Sequence, residues 1–318
     1  MYATSEGTAR YIDRFAAYRD AGFYRTVFDL KISTLGIGTY LGNADDEADY
    51  AYIDALIAAA ENGVNLFDTA VNYRNQRSER CVGAALKQLQ RDEIVVCTKA
   101  GFLTPGAVPG ALQPEDVVGR MHSMAPLFLS DQVERSRANL GVDTIDVFYL
   151  HNPETQLGFI PRDQFEDRIR RAFAVLERLV DEGRIRRYGT ATWEGYRKKG
   201  ALDLPRLAEI AAEEGGADHH FRFIQLPFNL GMVEAYVDRP ENVLEQAARL
   251  GIAVVASATL MQTQVLQHVD ALRAIQFTRS TPGIAVALVG MGRREHVLEN
   301  AAVAKTPPLT ADEYAKFW

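Results

Sequence analysis

Asp68, Tyr73, Lys99 and His151 are spaced so that, on adjacent strands, they could together move one proton at a carbonyl or alcohol oxygen. Asp68 ends the run Val64-Asn-Leu-Phe67, and Tyr73 follows five residues later. Lys99 ends Ile94-Val-Val-Cys-Thr98, and His151 ends Ile145-Asp-Val-Phe-Tyr-Leu150. A free tyrosine is a poor acid near neutral pH, with a pKa of about 10. A nearby ammonium favours the phenolate and lowers that value. Asp68 would keep Lys99 charged and oriented. His151 could donate a hydrogen bond to the oxygen that receives the proton. The set suits general acid–base work. It contains no activated serine or thiol and no second carboxylate spaced for glycoside hydrolysis. The histidines, at 122, 151, 219, 220, 268 and 296, match no metal-ligand spacing, so no metal is expected. Singly, each residue has a plainer role: Asp68 and Lys99 as a structural ion pair, Tyr73 as a loop aromatic, His151 as a strand cap. Together, at consecutive strand ends, they favour catalysis.

The elements that must position them follow from apolar patterning. Eight β-branched runs are centred near Leu35, Leu66, Val96, Val147, Tyr188, Ile224, Val254 and Val286, with helical patterns between them. Eight strand–helix units predict an α/β fold, a (β/α)₈ TIM barrel, which collects catalytic groups at the C-terminal ends of its strands. An open dinucleotide-binding sheet would show Gly-x-Gly-x-x-Gly after its first strand. Leu35-Gly-Ile-Gly-Thr-Tyr-Leu-Gly42 does not match. Helices are expected over Tyr52–Asn62, from a cap at Ser78, from a cap at Ser130 to Gly141, and over Asp163–Glu182. A long loop, Gly101 to Leu129, leaves the strand that bears Lys99 and is expected to shape a substrate pocket. A second, His151 to Arg162, carries Phe159 and Ile160 at its tip. Residues 1–27 read as an extension packing on a single barrel domain, 28–318. Within it, Tyr11, Phe15 and Tyr18 lie at helical spacing.

Bulk properties narrow the function classes. The 318 residues are 47% hydrophobic and 24% charged, with a net charge of −7. That balance argues against a nucleic-acid-binding surface. No run is long enough to span a membrane. The first 25 residues carry charges throughout and show no signal-peptide core, so a cytoplasmic location is expected. Cys81 and Cys97 read as buried reduced thiols.

From about Ser33 to Asn300 the sequence resembles the aldo-keto reductase family. The resemblance is carried by Asn65-Leu-Phe-Asp-Thr-Ala-Val-Asn-Tyr73, Ser78-Glu79 with Gly83, Thr98-Lys99, and Tyr149-Leu-His-Asn-Pro153. It continues through Gly183-Arg-Ile-Arg-Arg-Tyr-Gly189, Gln225 in Ile-Gln-Leu-Pro-Phe-Asn, and Gly290 to Glu299-Asn300. It implies a barrel that binds NADP(H) without a Rossmann domain, with Tyr73 as general acid, Asp68 and Lys99 tuning it, and His151 orienting a substrate carbonyl. It implies cofactor contacts from Gly38, Thr39, Asp68, Thr192, Gln225, Ser257 and Gly290. Arg293, and with it Arg294, would meet a 2′-phosphate, and Glu299 and Asn300 the adenine.

Three positions depart from the family pattern. Ala191-Thr192 replace a usual Ser-Asn, Ala256 replaces an aromatic that stacks on nicotinamide, and the segment Leu260–Asp270 is short. All three bear on cofactor grip, which they are expected to weaken. The substrate wall is expected from Tyr40, Leu41, Phe102, Leu103, His122 and Trp193. The favoured activity is NADP(H)-dependent reduction of an aldehyde or ketone, or oxidation of the matching alcohol. The alternatives are a nicotinamide-binding sensor or auxiliary subunit, and a cofactor-free barrel lyase or isomerase. Barrels of this kind occur as monomers and as homo-oligomers.

Overall fold

A computed structural model describes residues 1–238 and 241–317. Eight parallel strands close a barrel. They are β1 (Leu35–Gly38), β2 (Leu66–Asp68), β3 (Val95–Ala100), β4 (Ile145–His151), β5 (Ile185–Ala191), β6 (Phe221–Pro227), β7 (Ala253–Ser257) and β8 (Ile284–Gly290). All eight contain the centres expected from the sequence. The order is sequential, and the barrel closes where β8 meets β1, with Val289 paired to Ile37. Every residue of β3 and β4 is buried. This is why they read as continuous apolar runs: parallel strands covered on both faces have no wet side to alternate toward.

Each strand is followed by a helix of the outer ring: α1 (Asp46–Glu61), α2 (Arg77–Leu86), α3 (Pro126–Leu140), α4 (Arg162–Asp181), α5 (Leu204–Gly215), α6 (Val243–Arg249), α7 (Ala271–Ser280) and α8 (Arg294–Ala301), with short extra helices at Glu234–Val237 and Ala311–Ala315. Several starts differ from expectation. α1 begins six residues before Tyr52, because Asp45 accepts the Ala48 N–H at 2.9 Å and three acids occupy the first turn. Ser78 does not cap α2. The helix starts from Gln76 in the left-handed region, and Ser78 instead donates to the Thr39 carbonyl at 2.7 Å. Ser130 does not cap α3 either. Pro126 sits in the first turn, where its missing N–H costs nothing, and Ser130 donates back to the Pro126 carbonyl. The long loop therefore ends at Ala125, and it contains a small hairpin, Val117–Val118 with His122–Ser123.

At the N-terminal mouth a hairpin, Tyr24–Val27 with Leu30–Ser33, lies under the barrel. Val27, Leu30 and Ile32 cluster with Leu66, Val95, Val147, Val255 and Val286 of the barrel interior. The boundary expected between residues 27 and 28 thus falls at the tip of this hairpin, where Phe28 turns the chain with positive φ. A helix over Ser5–Asp13 precedes it. Tyr11 donates to the Ala60 carbonyl at 2.7 Å, and Arg14 pairs with Glu93 at 2.6 Å. Both cysteines are buried and free. No helix among the described residues is long and apolar enough to cross a membrane.

Candidate active site

The C-terminal strand ends surround a cavity of ≈ 450 Å³. Its floor is an ion pair that joins β2 to β3. Lys99 Nζ donates to Asp68 Oδ1 at 2.6 Å and to the Thr69 carbonyl at 2.9 Å. Gln225 Nε2, from β6 across the barrel, donates to the other carboxylate oxygen at 2.8 Å. Both members of the pair are almost fully buried. Tyr73 lies above: Lys99 Nζ is 5.1 Å from its ring centre. Three consecutive left-handed residues, Arg74, Asn75 and Gln76, turn the chain after Tyr73. Buried Arg74 anchors that turn by donating to the Asn43 carbonyl at 2.7 Å and to Asp49 at 2.5 Å. His151 faces Tyr73 edge-on, with ring centres 5.8 Å apart.

Charge and burial compete at each group. Burial pushes the Tyr73 phenol up to about 12, while Lys99 pulls it down and Asp68 pushes it up. The ammonium acts in the expected direction, but burial outweighs it, so the expected net lowering does not occur. For Lys99, burial disfavours the charge, yet Asp68 and Tyr73 overcome that, and its pKa is raised. Burial, the Lys99 charge and His122 hold His151 well below the usual imidazole range, so it is neutral at neutral pH. Its Nδ1 is buried without a partner. Buried orphan donors are rarer than orphan acceptors, which places the ring proton on Nε2, the nitrogen open to the cavity.

His122 does not line the cavity. It is fully buried, within a chain of contacts whose direction is determined. Arg168 has only donors, so its 2.9 Å contact turns the Gln156 amide oxygen toward itself. The amide nitrogen then faces His122 Nδ1 at 3.2 Å, which must accept. His122 Nε2 therefore carries the proton and donates to the His151 carbonyl at 2.8 Å. Burial, with Arg168 adding to it, holds His122 at about 4, so this tautomer stays neutral. A Cβ on Gly101 would lie 2.4 Å from the same His151 carbonyl, so only glycine permits the approach. Phe102 packs edge-on against both imidazoles, at 5.3 and 5.1 Å. The His151 ring is thus oriented by packing and by its anchored backbone. His122→Ala is expected to lower kcat on the order of 100-fold, the usual scale of a small misplacement, with cofactor affinity retained. An unchanged kcat would remove His122 from this role.

Of the other expected pocket residues, Tyr40, Leu41, Phe102 and Trp193 line the cavity, as do Gly38, Thr39, Thr192, Gln225, Ser257 and Gly290. Leu103 does not; it packs half-buried against the core. Ala256 is buried away from the cavity, whose wall there is Ser257 and Ala258. Beyond Gly290, Arg293 is exposed at the start of α8. Arg294 is turned to α1, where it pairs with Asp54 at 3.1 Å and Glu61 at 3.4 Å. Glu299 is exposed and Asn300 buried, and neither borders the cavity. Two further wall residues, Asn72 and Asn152, stand inside the sequence motifs beside Tyr73 and His151. Asn152 follows His151 directly and adopts φ 48°, a left-handed conformation that asparagine tolerates better than most residues. Its position next to a strand-end histidine was the available signal. The segment from Ala258 to Thr263, with four left-handed residues, also borders the cavity, and from Leu260 onward it belongs to the short segment after β7.

The polar groups fit the carboxamide end of a nicotinamide cofactor. With its nitrogen committed to Asp68, Gln225 leaves Oε1 as an acceptor, and the hydroxyls of Thr192 and Ser257 are on the same wall. The Asn72 and Thr259 side-chain oxygens are buried with no partner in this wall. Among the described residues, no group of three or more His, Cys, Asp or Glu is arranged to hold a metal ion.

A family model described as the aldo/keto reductase family matches residues 34–272. The chain belongs to the aldo/keto reductase family. It is 31% identical over 189 residues to an NADH-specific methylglyoxal reductase of Escherichia coli (strain K12), covering 55% of each chain. It is 33% identical over 175 residues to a D-threo-aldose 1-dehydrogenase of a Pseudomonas species, covering 50% of each. The chain thus spans about half the length of these curated relatives. Over the whole fold, a crystal structure of an aldo/keto reductase from Klebsiella pneumoniae in complex with NADP and acetate superposes with a TM-score of 0.67 at 22% identity, covering 92% of this chain and 93% of that one.

Proposed function

We propose that this aldo/keto reductase family member reduces a small aldehyde or ketone with a nicotinamide cofactor, and oxidises the matching alcohol in reverse. The carrying observation is the buried Asp68–Lys99 pair beneath Tyr73, with His151 opposite and Gln225 closing the floor. The bound cofactor would supply the hydride, and the protein the orientation and the proton. The substrate oxygen would lie between the Tyr73 hydroxyl and His151 Nε2. Neutral His151 donates a hydrogen bond that orients the carbonyl and strengthens as negative charge develops. Tyr73 delivers the proton. Lys99, held charged by Asp68, stabilises the phenolate left behind. The named activities of the two curated relatives, one a reductase and one a dehydrogenase, agree with this reading in both directions.

NADP(H) is the proposed cofactor, on the strength of exposed Arg293, since a guanidinium fork matches a phosphate. Arg294 is occupied by Asp54 and Glu61, so the preference over NAD(H) rests on one arginine. An equilibrium titration followed by protein fluorescence is expected to show NADPH binding more tightly than NADH. The substitution Arg293→Ala is expected to bring the two together. Equal affinities in the unaltered protein would remove the 2′-phosphate assignment. Slow release of NADPH at submicromolar affinity would show that Ala191, Thr192 and the short segment after β7 do not weaken the grip.

A further inference from the structure

A second cavity, of ≈ 550 Å³, opens on the same face and shares Asn152 and Trp193 with the first. Its walls come from the loops after β4 and β5. Arg162, Lys198 and Lys199 all line it, in a chain whose net charge is −7. Lys198 and Lys199 enter no ion pair among the described residues. Of the lining carboxylates, Glu154 has one oxygen held by backbone. Its Oε1 accepts the backbone N–H groups of Trp193, Glu194 and Gly195 at 2.8, 3.0 and 3.1 Å. Those contacts leave its charge in place, so Glu154 and Glu194 together face three cations, and the cavity keeps a cationic excess.

The lysines stand on a turn held at both ends. Glu154 holds its start through those three N–H groups, and the Leu202 N–H closes on the Gly195 carbonyl at 2.9 Å. Arg162 holds its end, donating to the Gly200 carbonyl at 2.5 Å and the Ala201 carbonyl at 3.2 Å. Both contacts use backbone, so the guanidinium charge is not neutralised by them. Trp193 divides the two cavities, is half-exposed, and presents an apolar surface between the reacting end and the cationic end.

We propose that the second cavity is a subsite for an anionic group, carboxylate or phosphate, at the far end of the carbonyl substrate. The carbonyl would sit at Tyr73 and His151, the middle of the molecule would pass Trp193, and the anion would reach Lys198 and Lys199. The inference rests on the reductase reading of the first cavity and adds the substrate's class to it.

The test compares a graded series of ω-oxocarboxylates with unbranched aldehydes of equal chain length, in the intact protein with NADPH. The expected result is a kcat/KM about ten-fold or more higher for the anionic member at the length that spans the two cavities, the scale of one or two charge-assisted hydrogen bonds. That advantage should shrink with added salt. In a Lys198→Ala, Lys199→Ala double variant the ratio of anionic to neutral substrate should fall toward one, while Lys198→Arg, Lys199→Arg retains it. Turnover of both series with a ratio near one in the unaltered protein overturns the subsite and leaves the reductase reading standing. Turnover of neither series overturns both. A neutral aldehyde whose kcat/KM rises when free carboxylate or phosphate is added would assign the cavity to a separate anion, overturning the substrate-tail proposal.

Discussion

Tyr73→Phe is expected to lose about 10²- to 10⁴-fold in kcat, the usual contribution of a positioned general acid. Cofactor affinity should change little, because the phenol hydroxyl is not among the groups proposed to hold the cofactor. The substitution keeps the ring that packs against Tyr40 at 4.9 Å and His151 at 5.8 Å, so the fold has no reason to fail. The pH dependence separates this assignment from a merely structural one. Burial raises the phenol to about 12 against the pull of Lys99, so the proton is present throughout the neutral range. Reduction consumes that proton; its kcat/KM should stay level through neutral pH and fall only in strongly alkaline solution. Oxidation needs the phenolate, so its kcat/KM should climb with pH over the same range. A phenylalanine variant that kept both the rate and the alkaline slope would take Tyr73 out of the reaction.

The second large effect is on stability. In the Asp68→Asn protein, Lys99 keeps an amide oxygen and the Thr69 carbonyl as acceptors but loses its counter-charge in a dry site. Breaking a buried pair by removing one partner typically costs about 3–5 kcal/mol, because a charge remains without compensation. That is a large part of a domain's total stability of about 5–15 kcal/mol. Lys99→Met added to Asp68→Asn removes the stranded charge, and the double variant should recover much of the loss. Denaturant unfolding of the two single variants and the double variant gives the coupling directly. A cost below about 1 kcal/mol for Asp68→Asn would place the pair among solvent-screened surface pairs, which its burial contradicts. Both single variants should be nearly inactive, so the stability cycle and the kinetics report on the pair independently.

The barrel is legible because its parallel strands are buried on both faces over most of their length, and in β3 and β4 throughout, which leaves apolar runs in the chain. The end of each run could be read too: a charged or polar residue after a stretch such as Val95–Thr98 marks where the strand leaves the core. Asp68, Lys99 and His151 are marked in that way, and Tyr73 by its distance from Asp68. Helix starts were less legible. Ser78 and Ser130 are good capping residues, yet each found a carbonyl in its own surroundings, at Thr39 and Pro126. An acid cluster at Asp45–Asp49 and a proline at 126 determined the starts of α1 and α3.

By itself, then, the sequence determined the architecture and brought Asp68, Tyr73, Lys99 and His151 to one mouth, because burial and periodicity are local properties of a chain. Tertiary structure decided which influence prevails at each group. Lys99 and burial pull the Tyr73 phenol in opposite directions, and only the packed site shows that burial wins. His122 carries no mark that separates a pocket wall from a buried donor. Its role appears once Gly101 lets it reach the His151 carbonyl and Arg168 orients Gln156. Arg293 and Arg294 are neighbours of one type, but Asp54 and Glu61 on α1 engage the second and leave the first exposed. In each case the outcome depends on partners distant in sequence, whose contact is made only when the barrel closes.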